Sequence, residues 1–485
     1  MSEEVRNLEP KVLWNHFEDL NAVPRPSKKE ERVIEFIMNF GKNLGLHTER
    51  DEIGNILIKK PATPGHEHKM GVVLQSHLDM VHQKNSDTDF DFLTQGIQSF
   101  IDGEWVKAKG TTLGADNGIG VAAAMSVLSS KDIEHGPIES IFTIDEETGM
   151  TGAEHLTPNW VEGDILLNMD TEDEGELCIG CAGGVDTTVN FHYGLEHPSG
   201  TAFNINMTGL FGGHSGCDIH LQRANSNKLM ARLLLKLMNE CGIQISKFDG
   251  GSLRNAIPRE AFATITIPTG KIDSCRAILV DFEGIVKNEF SKTDPNLKIE
   301  FVATDMPKSV ANKADASKMI NAIHAVRNGM YRMSNDFEDL VETSTNTSRV
   351  SMDDGHLKID FLTRSSVDEA KWDLASQIES TFKLIGAEVE HAGSYPGWEP
   401  NPDSEILKVM RGIHEDYFKE KPIVNAVHAG LECGIISRTQ PKLDMISFGP
   451  TIKNPHSPDE KVDIGTVDRF WGYLKKVLVE IPNKN

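Results

Sequence analysis

The sequence predicts an α/β protein in which one domain is split by an inserted α+β domain. Three observations predict it: short apolar strands alternate with helices before residue 186, longer strands fill residues 187–400, and the first pattern returns afterwards. With 485 residues, the chain is long enough for more than one hydrophobic core. We therefore expect residues 1–186 and 401–485 to form one domain around an inserted domain, 187–400.

The first segment begins with helical periodicity over residues 10–21 and 28–45. Four strand-like runs follow: NILIKK, GVVLQS, SIFTID and DILLNM. A helical run, GIGVAAAMSVLSS, lies between the second and the third of them. This alternation is typical of a sheet with helices on both faces, in which ligands bind beyond the carboxyl ends of the strands.

The middle segment has longer, alternating strands such as TAFNINMTG and HLKIDFLTRSS, with helices such as NSNKLMARLLLKLMNECG between them. Such packets predict an antiparallel sheet with helices on one face. The packet occurs about twice, which suggests an internal duplication, although no sequence repeat is evident. After PGWEPNPDS, a helix at 404–418, the strands IVNAVHAG and DMISFGP, and a helix from about 464 restore the first pattern.

Composition excludes several classes of protein. A net charge of -24 argues against a nucleic-acid partner, because phosphates require a basic surface. No apolar run approaches the roughly 20 residues of a membrane span, and the acidic start MSEEVRNLEP lacks a cationic leader. We expect a cytoplasmic protein without membrane or nucleic-acid partners.

Cys178 and Cys181 form a C-x-x-C pair. A redox pair normally opens a helix, whereas this one lies in GELCIGCAGG, and no second pair completes a structural zinc site. Both alternatives are therefore disfavoured against an ordinary structural role.

Polar residues follow the apolar, β-rich runs of the first segment. His77, Asp116, Glu147 and Asp170 end VVLQSHLD, TTLGADNG, SIFTIDEETG and DILLNMD, and His456 lies in the late loop NPHSPDE. A carboxylate at the rim of a core must be paired or metal-bound. Any one of these residues alone is more often an ordinary polar group, but their joint placement favours a metal site.

These five residues suit two zinc ions. Zinc binds imidazole and carboxylate and leaves a position for water in catalytic sites, and five ligands with one shared provide three protein contacts per ion. On a strand, Asp79 would share a face with His77 and could orient the imidazole. Glu146 and Glu147 would diverge along an extended backbone, so that one binds metal and the other serves as general base.

Several blocks of the sequence resemble those of a known family. SHLDMV, GTTLGADNGIG, IDEETGMTGA, LNMDTED and NPHSPDE look like the signature blocks of the aminoacylase and carboxypeptidase G family of di-zinc exopeptidases. LGADNGIGVAAAM, IGCAGG, GGHSG, RNAIPREA, YPGWEPN and HAGLECG resemble its branch of carnosinase-like cytosolic dipeptidases. The resemblance implies a split catalytic domain, with a mixed sheet flanked by helices, and an inserted α+β lid domain.

The resemblance also implies roles for individual residues. It would place one zinc on His77 and Asp170, the other on Glu147 and His456, with Asp116 bridging, Glu146 as general base and Asp79 behind His77. Cobalt and manganese are alternative metals. Family members with aspartate at the position of Asp170 tend to be aminopeptidases or dipeptidases, whereas those with glutamate tend to be carboxypeptidases or aminoacylases.

Lid residues are implied in substrate binding. His214 in FGGHSG matches a family histidine that reaches the scissile carbonyl oxygen, with a simple turn residue as the alternative. Arg364 could bind the substrate carboxylate, with an exposed surface arginine as the alternative. Asn255 in RNAIP is a weaker candidate, and His428 and Glu432 match a block near the substrate.

The predicted function is hydrolysis of unblocked dipeptides, of Xaa-His type including β-alanyl-histidine, by metal-activated water and a glutamate base. The alternatives are an aminoacylase or deacetylase acting on N-acylated amino acids and a catalytically silent, metal-stabilised binding protein. The predicted partner is a small dipeptide. A homodimer through the lid is the alternative to a monomer.

Overall fold

A computed structural model describes residues 2–484 of the protein, which divide into two compact units. The first unit contains the chain up to Gly180, then Pro400–Ala426 and the chain from Leu431 onward. The second contains Cys181–Glu399 and Val427–Gly430. The sequence placed the division at 186/187 and 400/401, so the second unit begins earlier and includes a four-residue segment expected in the first.

The chain up to the first division alternates helices with short strands, as the sequence predicts. The helices are α1 (Glu3–Arg6), α2 (Lys11–Asn21), α3 (Glu31–Asn43), α4 (Ala115–Ser129), α5 (Glu146–Gly149) and α6 (Thr151–Glu154). The strands are β1 (His47–Arg50), β2 (Ile56–Lys60), β3 (Val72–His77), β4 (Ser99–Asp102), β5 (Trp105–Ala108), β6 (Ile138–Thr143), β7 (Ile165–Asn168) and β8 (Glu176–Cys181).

The inserted segment has longer strands and four long helices. Its strands are β9 (Gly183–His192), β10 (Leu195–Glu196), β11 (Thr201–Thr208), β12 (Gly213–His214), β13 (Gln244–Gly250), β14 (Ala256–Ile257), β15 (Ala261–Ile267), β16 (Lys298–Ala303), β17 (Val310–Ala311), β18 (Gly329–Met333), β19 (Val341–Asp353), β20 (His356–Ser365) and β21 (Glu388–Tyr395). Its helices are α7 (Ser226–Cys241), α8 (Ile272–Glu289), α9 (Lys313–Ala325) and α10 (Asp368–Lys383), with 3₁₀ turns at Ile219–Leu221 and Thr269–Lys271.

The last segment returns to the first pattern. It contains α11 (Glu405–Phe418), β22 (Ile423–Val427), α12 (Glu432–Thr439), β23 (Asp444–Ser447), β24 (Ile452–Lys453), β25 (Lys461–Asp463) and α13 (Ile464–Glu480). Side-chain oxygens cap the start of two of its helices, because Ser404 accepts from Leu407 N and Asp463 accepts from Thr466 N. Their positions confirm the predicted helices at 404–418 and from 464.

The first unit is built on an eight-stranded mixed sheet of order β1-β2-β6-β3-β7-β23-β8-β22. Its centre, β6-β3-β7-β23, is parallel, and the outer pairings that involve β1, β2 and β8 are antiparallel. Every residue of β3, β6 and β7 is buried, as expected for strands covered on both faces. The carboxyl ends of these parallel strands therefore lie along one edge of the sheet.

The second unit is built on an antiparallel sheet of nine strands, with the order β16-β11-β15-β13-β19-β20-β9-β21 and β18 paired to β19. It contains the same β-α-β-β-α-β topology twice. One copy runs β11-α7-β13-β15-α8-β16, and the other runs β9-α9-β19-β20-α10-β21 around it. The two copies meet edge to edge where β13 pairs with β19, and one apolar core joins the helices of both.

Within residues 2–484, no helix is both long and apolar enough to cross a membrane.

Candidate active site

Three of the predicted ligand positions lie at the carboxyl edge of the parallel strands. His77 is the last residue of β3, Glu147 lies in the turn of helix that follows β6, and Asp170 lies two residues beyond β7. Since β6, β3 and β7 are parallel neighbours, their ends bring these side chains together.

Asp116 lies at the centre of this group. It occupies the first turn of α4 with non-helical backbone angles, and its peptide bond to Asn117 is cis. Its Oδ1 lies 3.1 Å from His77 Nε2, and its Oδ2 lies 3.2 Å from His456 Nε2. The two oxygens of one carboxylate therefore face two different imidazoles.

Each imidazole has a further carboxylate beside it. His77 Nε2 lies 3.5 Å from Asp170 Oδ1, and His456 Nε2 lies 2.9 Å from Glu147 Oε2. The structure thus brings all five predicted ligands together as two sets that share Asp116. His456 reaches the group from the loop between β24 and β25, where its φ of 60° is left-handed.

The donor atoms of these sets fit metal ions. In His77–Asp116–Asp170, in Asp116–Glu147–His456 and in His77–Glu146–Glu147, one ligand atom from each residue lies within 4.8 Å of the others. All are imidazole nitrogens or carboxylate oxygens, the ligands that zinc takes in catalytic sites. Within residues 2–484, Glu147 Oε1 is buried without a hydrogen-bond partner, and an unpaired buried carboxylate oxygen is costly unless a cation lies beside it.

Hydrogen bonds and neighbouring charges shift the pKa values of the predicted ligands. Hydrogen bonds to Asp116 and Glu147 raise the pKa of His456 to about 11, against the smaller effect of its burial. Although burial acts to raise the pKa of Asp116, the hydrogen bonds from His456 and His77 hold that pKa below its ordinary value. In the metal-free protein the second imidazole therefore holds a proton that a metal ion must displace.

Asp79 lies behind His77. The Nδ1 atom of His77 lies 3.2 Å from the Asp79 carbonyl oxygen and 3.4 Å from its carboxylate Oδ1. The same carboxylate accepts the backbone N–H groups of Glu146 at 3.0 Å and Glu147 at 3.2 Å. One buried side chain thus holds both the imidazole and the turn that carries the two glutamates, as an orienting residue would.

The expectation that Glu146 and Glu147 lie on an extended backbone is wrong. Both residues lie in the one-turn helix α5 rather than in an extended segment, because the chain turns directly after β6. Burial raises the pKa of Glu146 well above its ordinary value against the opposing effect of His77, and the charges of Asp170, Glu432 and Glu147 add to the rise. A carboxylate with a raised pKa is suited to take up a proton.

Three residues near this group were missed from the sequence. Asn117 donates to the carbonyl of Met169 at 3.0 Å and to the carboxylate of Asp170. Arg25 and Glu460 are buried and hold the backbone around the ligands. The signals were weak: Asn117 directly follows Asp116, Glu460 lies four residues after His456, and Arg25 lies far away in VPRPS.

Glu432 is buried at the start of α12. Its Oε2 accepts from Gln75 Nε2 at 2.7 Å and from Thr143 Oγ1 at 2.8 Å, while its Oε1 has no hydrogen-bond partner in the described part of the chain. Burial, opposed by His77, raises the pKa of Glu432 to about 7. Gln75 and Thr143 belong to β3 and β6, so Glu432 lies beside the strands that end at the ligands.

The second unit contains a separate, cationic group. Arg364 on β20 donates to the hydroxyl of Tyr395 at 2.9 Å, and its Nη2 lies 3.5 Å from His214 Nε2. The alternative of an exposed surface arginine is wrong, because Arg364 is only 5% exposed. Its Nε has no partner among the described residues. A buried guanidinium with unused donors is suited to a carboxylate ligand.

The hydrogen bonds of His214 determine its tautomer. Its Nδ1 accepts the backbone N–H groups of Gly216 at 3.3 Å and Cys217 at 3.0 Å, so the neutral ring carries its proton on Nε2. Burial lowers the pKa of His214, and the charge of Arg364 lowers it further against the effect of Asp218. His214 and Arg364 therefore present two donors to each other, an arrangement that an acceptor between them would satisfy.

The other predicted residues of the second unit lie near this group or at its edge. His428 Nε2 lies 2.7 Å from Ser344 Oγ, and burial, aided by the charge of Arg364, lowers the pKa of His428 to about 3. Asn255 is exposed, and its carbonyl accepts from Ser215 N at 2.8 Å, next to His214.

Cys178 and Cys181 are buried on β8, and Cys178 Sγ donates to the carbonyl of Gly180 at 3.3 Å. Neither belongs to a metal-ligand group within residues 2–484.

Comparison with known proteins defines the class. Residues 73–480 match the model of peptidase family M20/M25/M40. The chain is 45% identical over 485 residues to the cytosol non-specific dipeptidase of Escherichia coli (strain K12), covering 99% of this chain and 100% of that protein. The protein therefore belongs to peptidase family M20/M25/M40, whose members are metal-dependent.

Solved structures agree. The aminoacylhistidine dipeptidase from Vibrio alginolyticus superposes with a TM-score of 0.94 at 46% identity, covering 100% of this chain and 99% of that one. Aminopeptidase PepT from Bacillus cereus superposes with a TM-score of 0.58 at 16% identity, over 98% and 99% of the two chains, and so shares the fold. The predicted fold class is confirmed.

Proposed function

We propose that this protein is a metal-dependent dipeptidase that hydrolyses unblocked dipeptides. The proposal rests on the carboxylate of Asp116, in which one oxygen faces His77 and the other faces His456. A shared carboxylate between two ligand sets is the arrangement that a two-metal hydrolase requires.

The proposed centre would hold two zinc ions, with His77 and Asp170 as ligands of one, Glu147 and His456 as ligands of the other, and Asp116 available to both. Cobalt or manganese could replace zinc, because ligand type alone does not separate these metals. When bound, such ions polarise the peptide carbonyl and lower the pKa of water.

In this proposal Glu146 is the general base. Its raised pKa suits it to accept the proton of the attacking water and to return it to the leaving amine. Asp79 acts through other residues: it orients the ring of His77 and, through its hydrogen bonds to both backbone N–H groups, holds Glu146 in place.

The second unit supplies donors for the anionic parts of the substrate. The Nε2–H of His214 would stabilise the developing oxyanion, and the guanidinium of Arg364 would bind the free carboxylate of the dipeptide. His428, which stays neutral, and the exposed Asn255 are assigned to substrate contacts. They add no further charge at neutral pH.

Glu432 is assigned to the free amino group of the dipeptide. Its Oε1 is buried without a hydrogen-bond partner among the described residues, and its carboxyl group interacts electrostatically with Glu146 and Asp170. An ammonium group would satisfy that oxygen, whereas an N-acyl group would not. Glu432 thus favours dipeptidase over aminoacylase chemistry.

The names of two relatives support a proposal for the substrate class. One is a non-specific dipeptidase and another an aminoacylhistidine dipeptidase, so we propose Xaa-His dipeptides, including β-alanyl-histidine, among the substrates. We propose the cytosol as its location, as in the name of the first relative. A homodimer through the second unit stays a prediction that sedimentation analysis can decide.

A substrate panel on zinc-loaded protein tests the proposal. We expect hydrolysis of several dipeptides, β-alanyl-histidine among them, no hydrolysis of N-acetyl-histidine, and activity lowered by about 10²- to 10⁴-fold in Glu146→Gln. Preferential hydrolysis of the N-acetyl compound would make the protein an aminoacylase. Stoichiometric zinc without hydrolysis of any substrate would favour a metal-stabilised binding protein.

A further inference from the structure

Two buried, oppositely charged residues hold the backbone on which the proposed ligands are mounted. Arg25, between α2 and α3, is 1% exposed, and Glu460, in the loop before β25, is 2% exposed. Neither was assigned a role in the proposed reaction. Burial of a charge is costly unless hydrogen bonds compensate it, so the partners of these two groups indicate their roles.

Glu460 accepts hydrogen bonds from four consecutive backbone N–H groups. Its Oε2 accepts from Leu113 at 2.7 Å and Gly114 at 3.0 Å, and its Oε1 accepts from Ala115 at 2.7 Å and Asp116 at 3.3 Å. The carboxylate thus binds the whole segment that ends in the shared carboxylate. Because Glu460 follows His456 by four residues, it also connects the loop of one ligand to the segment of another.

Arg25 binds the same segment through its carbonyl groups. Its Nη2 donates to the carbonyl of Gly114 at 2.6 Å, and its Nη1 donates to the carbonyls of Leu78 and Asp79, both at 3.1 Å. The Asp79 carbonyl oxygen is also the atom 3.2 Å from His77 Nδ1. The guanidinium therefore connects the backbone next to His77 with the backbone next to Asp116.

Space around Arg25 is restricted. A Cβ atom at Gly114, whose φ is +69°, would lie 2.5 Å from Arg25 Nη2, and one at Gly118 would lie 2.7 Å from it. The guanidinium thus fits closely against the turn that begins α4. Glycine at both positions allows this approach.

We propose that Arg25 and Glu460 are positioning residues that together hold Asp116 and His77 in their metal-binding arrangement before metal arrives. This inference rests on the proposed ligand set, but not on the identity of the peptide substrate. Replacement of Arg25 or Glu460 should then weaken metal binding more than a substitution elsewhere in the same unit that lowers the free energy of unfolding by the same amount.

Glu139 provides a matched control. It is also a buried glutamate of the first unit, and its Oε2 accepts the backbone N–H groups of Glu162 and Gly163, both at 2.8 Å. It lies at the amino end of β6, away from the ligand edge. Glu139→Gln should therefore destabilise the fold without changing the ligand arrangement.

The experiment titrates metal-free wild type, Glu460→Gln, Glu460→Asp, Arg25→Lys and Glu139→Gln with zinc alone, and measures thermal unfolding of each metal-free protein. We expect Glu460→Gln and Arg25→Lys to bind zinc about tenfold to a hundredfold more weakly, as for other residues that orient metal ligands. Glu460→Asp, which keeps the charge, should fall between Glu460→Gln and wild type. Glu139→Gln should bind zinc with wild-type affinity, although the midpoint of its thermal unfolding should be lower.

Wild-type zinc affinity in Glu460→Gln, or an equal loss in Glu139→Gln, would overturn the proposal. If Glu460→Gln does not fold, Glu460→Asp and Arg25→Lys decide the same question. A wild-type chain that binds no zinc overturns it as well and refutes the proposed ligand set, whereas a chain that binds zinc but cleaves no dipeptide refutes only the proposed function.

Discussion

In the first unit, partly buried carboxylates lie around two imidazoles, whereas in the second a buried guanidinium lies beside imidazoles with a lowered pKa. The first group contains Asp116, Glu147 and Asp170 within reach of His77 and His456. In the second group, Arg364 contacts Tyr395 and lies beside His214. The first group has several carboxylates, the second has a single cationic guanidinium, and within residues 2–484 each leaves buried polar atoms without a hydrogen-bond partner.

The difference between the two groups indicates what each would bind. Surplus carboxylate oxygens attract cations, and unused guanidinium and imidazole donors attract anions. A dipeptidase needs both kinds of group, because its metals are cationic and its substrate ends in a carboxylate.

Asp116→Asn should have the largest effect. The amide cannot supply two anionic oxygens, so both metal sites should weaken together and dipeptide hydrolysis should be lost. Metal content by mass spectrometry and hydrolysis by chromatography measure the change, with the exposed Asp102→Asn as control. A variant that keeps two ions and full activity would show that Asp116 is not shared.

Glu146→Gln should lower kcat by about 10²- to 10⁴-fold, since a positioned general base contributes that much. Metal content and KM should stay near wild type, which separates the base from the ligands. Glu154→Gln on the nearby helix α6, where the side chain is exposed, serves as control. A kcat near wild type would remove Glu146 from its proposed role.

Arg364→Lys should raise KM for a dipeptide by about tenfold to a hundredfold, because a planar, bidentate donor is replaced by a point charge. Metal content should not change. The corresponding dipeptide amide, which lacks the carboxylate, should be cleaved equally by both proteins. An equal rise in KM for the amide would argue that Arg364 serves the fold rather than the substrate.

Zinc affinity should rise with pH. The pKa of His456, raised to about 11 in the metal-free protein, means that its imidazolium loses a proton when metal binds. Below that pKa, the apparent affinity should therefore increase by roughly tenfold per pH unit for each proton released. Calorimetry in buffers of different ionisation enthalpy counts those protons, and an absence of proton release would contradict the assignment.

Tyr395→Phe should have the smallest effect. It removes only the hydroxyl that accepts from Arg364, so KM should rise about fivefold, as expected for about 1 kcal/mol. Tyr417→Phe, on α11, is the matched control. A rise in KM as large as that of Arg364→Lys would mean that the hydroxyl itself contacts substrate.

The comparison of the two groups also explains what the sequence could predict. His77, Glu147 and Asp170 follow buried apolar strands, and that pattern is local, so it is visible without a structure. The helices and most strands follow from periodicity for the same reason. His456 has no strand before it and was included from its loop NPHSPDE alone, and the residues of the second unit were found only through resemblance to a family.

Other features required the folded chain. Arg25 and Glu460 contact backbone groups 53 to 89 and 344 to 347 residues away, and no periodicity records such contacts. The burial of Arg364 depends on the pairing of β20 with β9 and β19. The sequence shows only that Arg364 lies near the end of a strand, where an exposed side chain is common. The extended backbone expected at Glu146 is wrong because the chain turns at Asp145, whose φ of 53° is left-handed, directly after the apolar run.

The most direct test of the central claim is anomalous diffraction at the zinc edge from zinc-loaded crystals. We expect two peaks, one beside each oxygen of Asp116, the first near His77 and Asp170 and the second near Glu147 and His456. A single peak, or peaks away from Asp116, would contradict it.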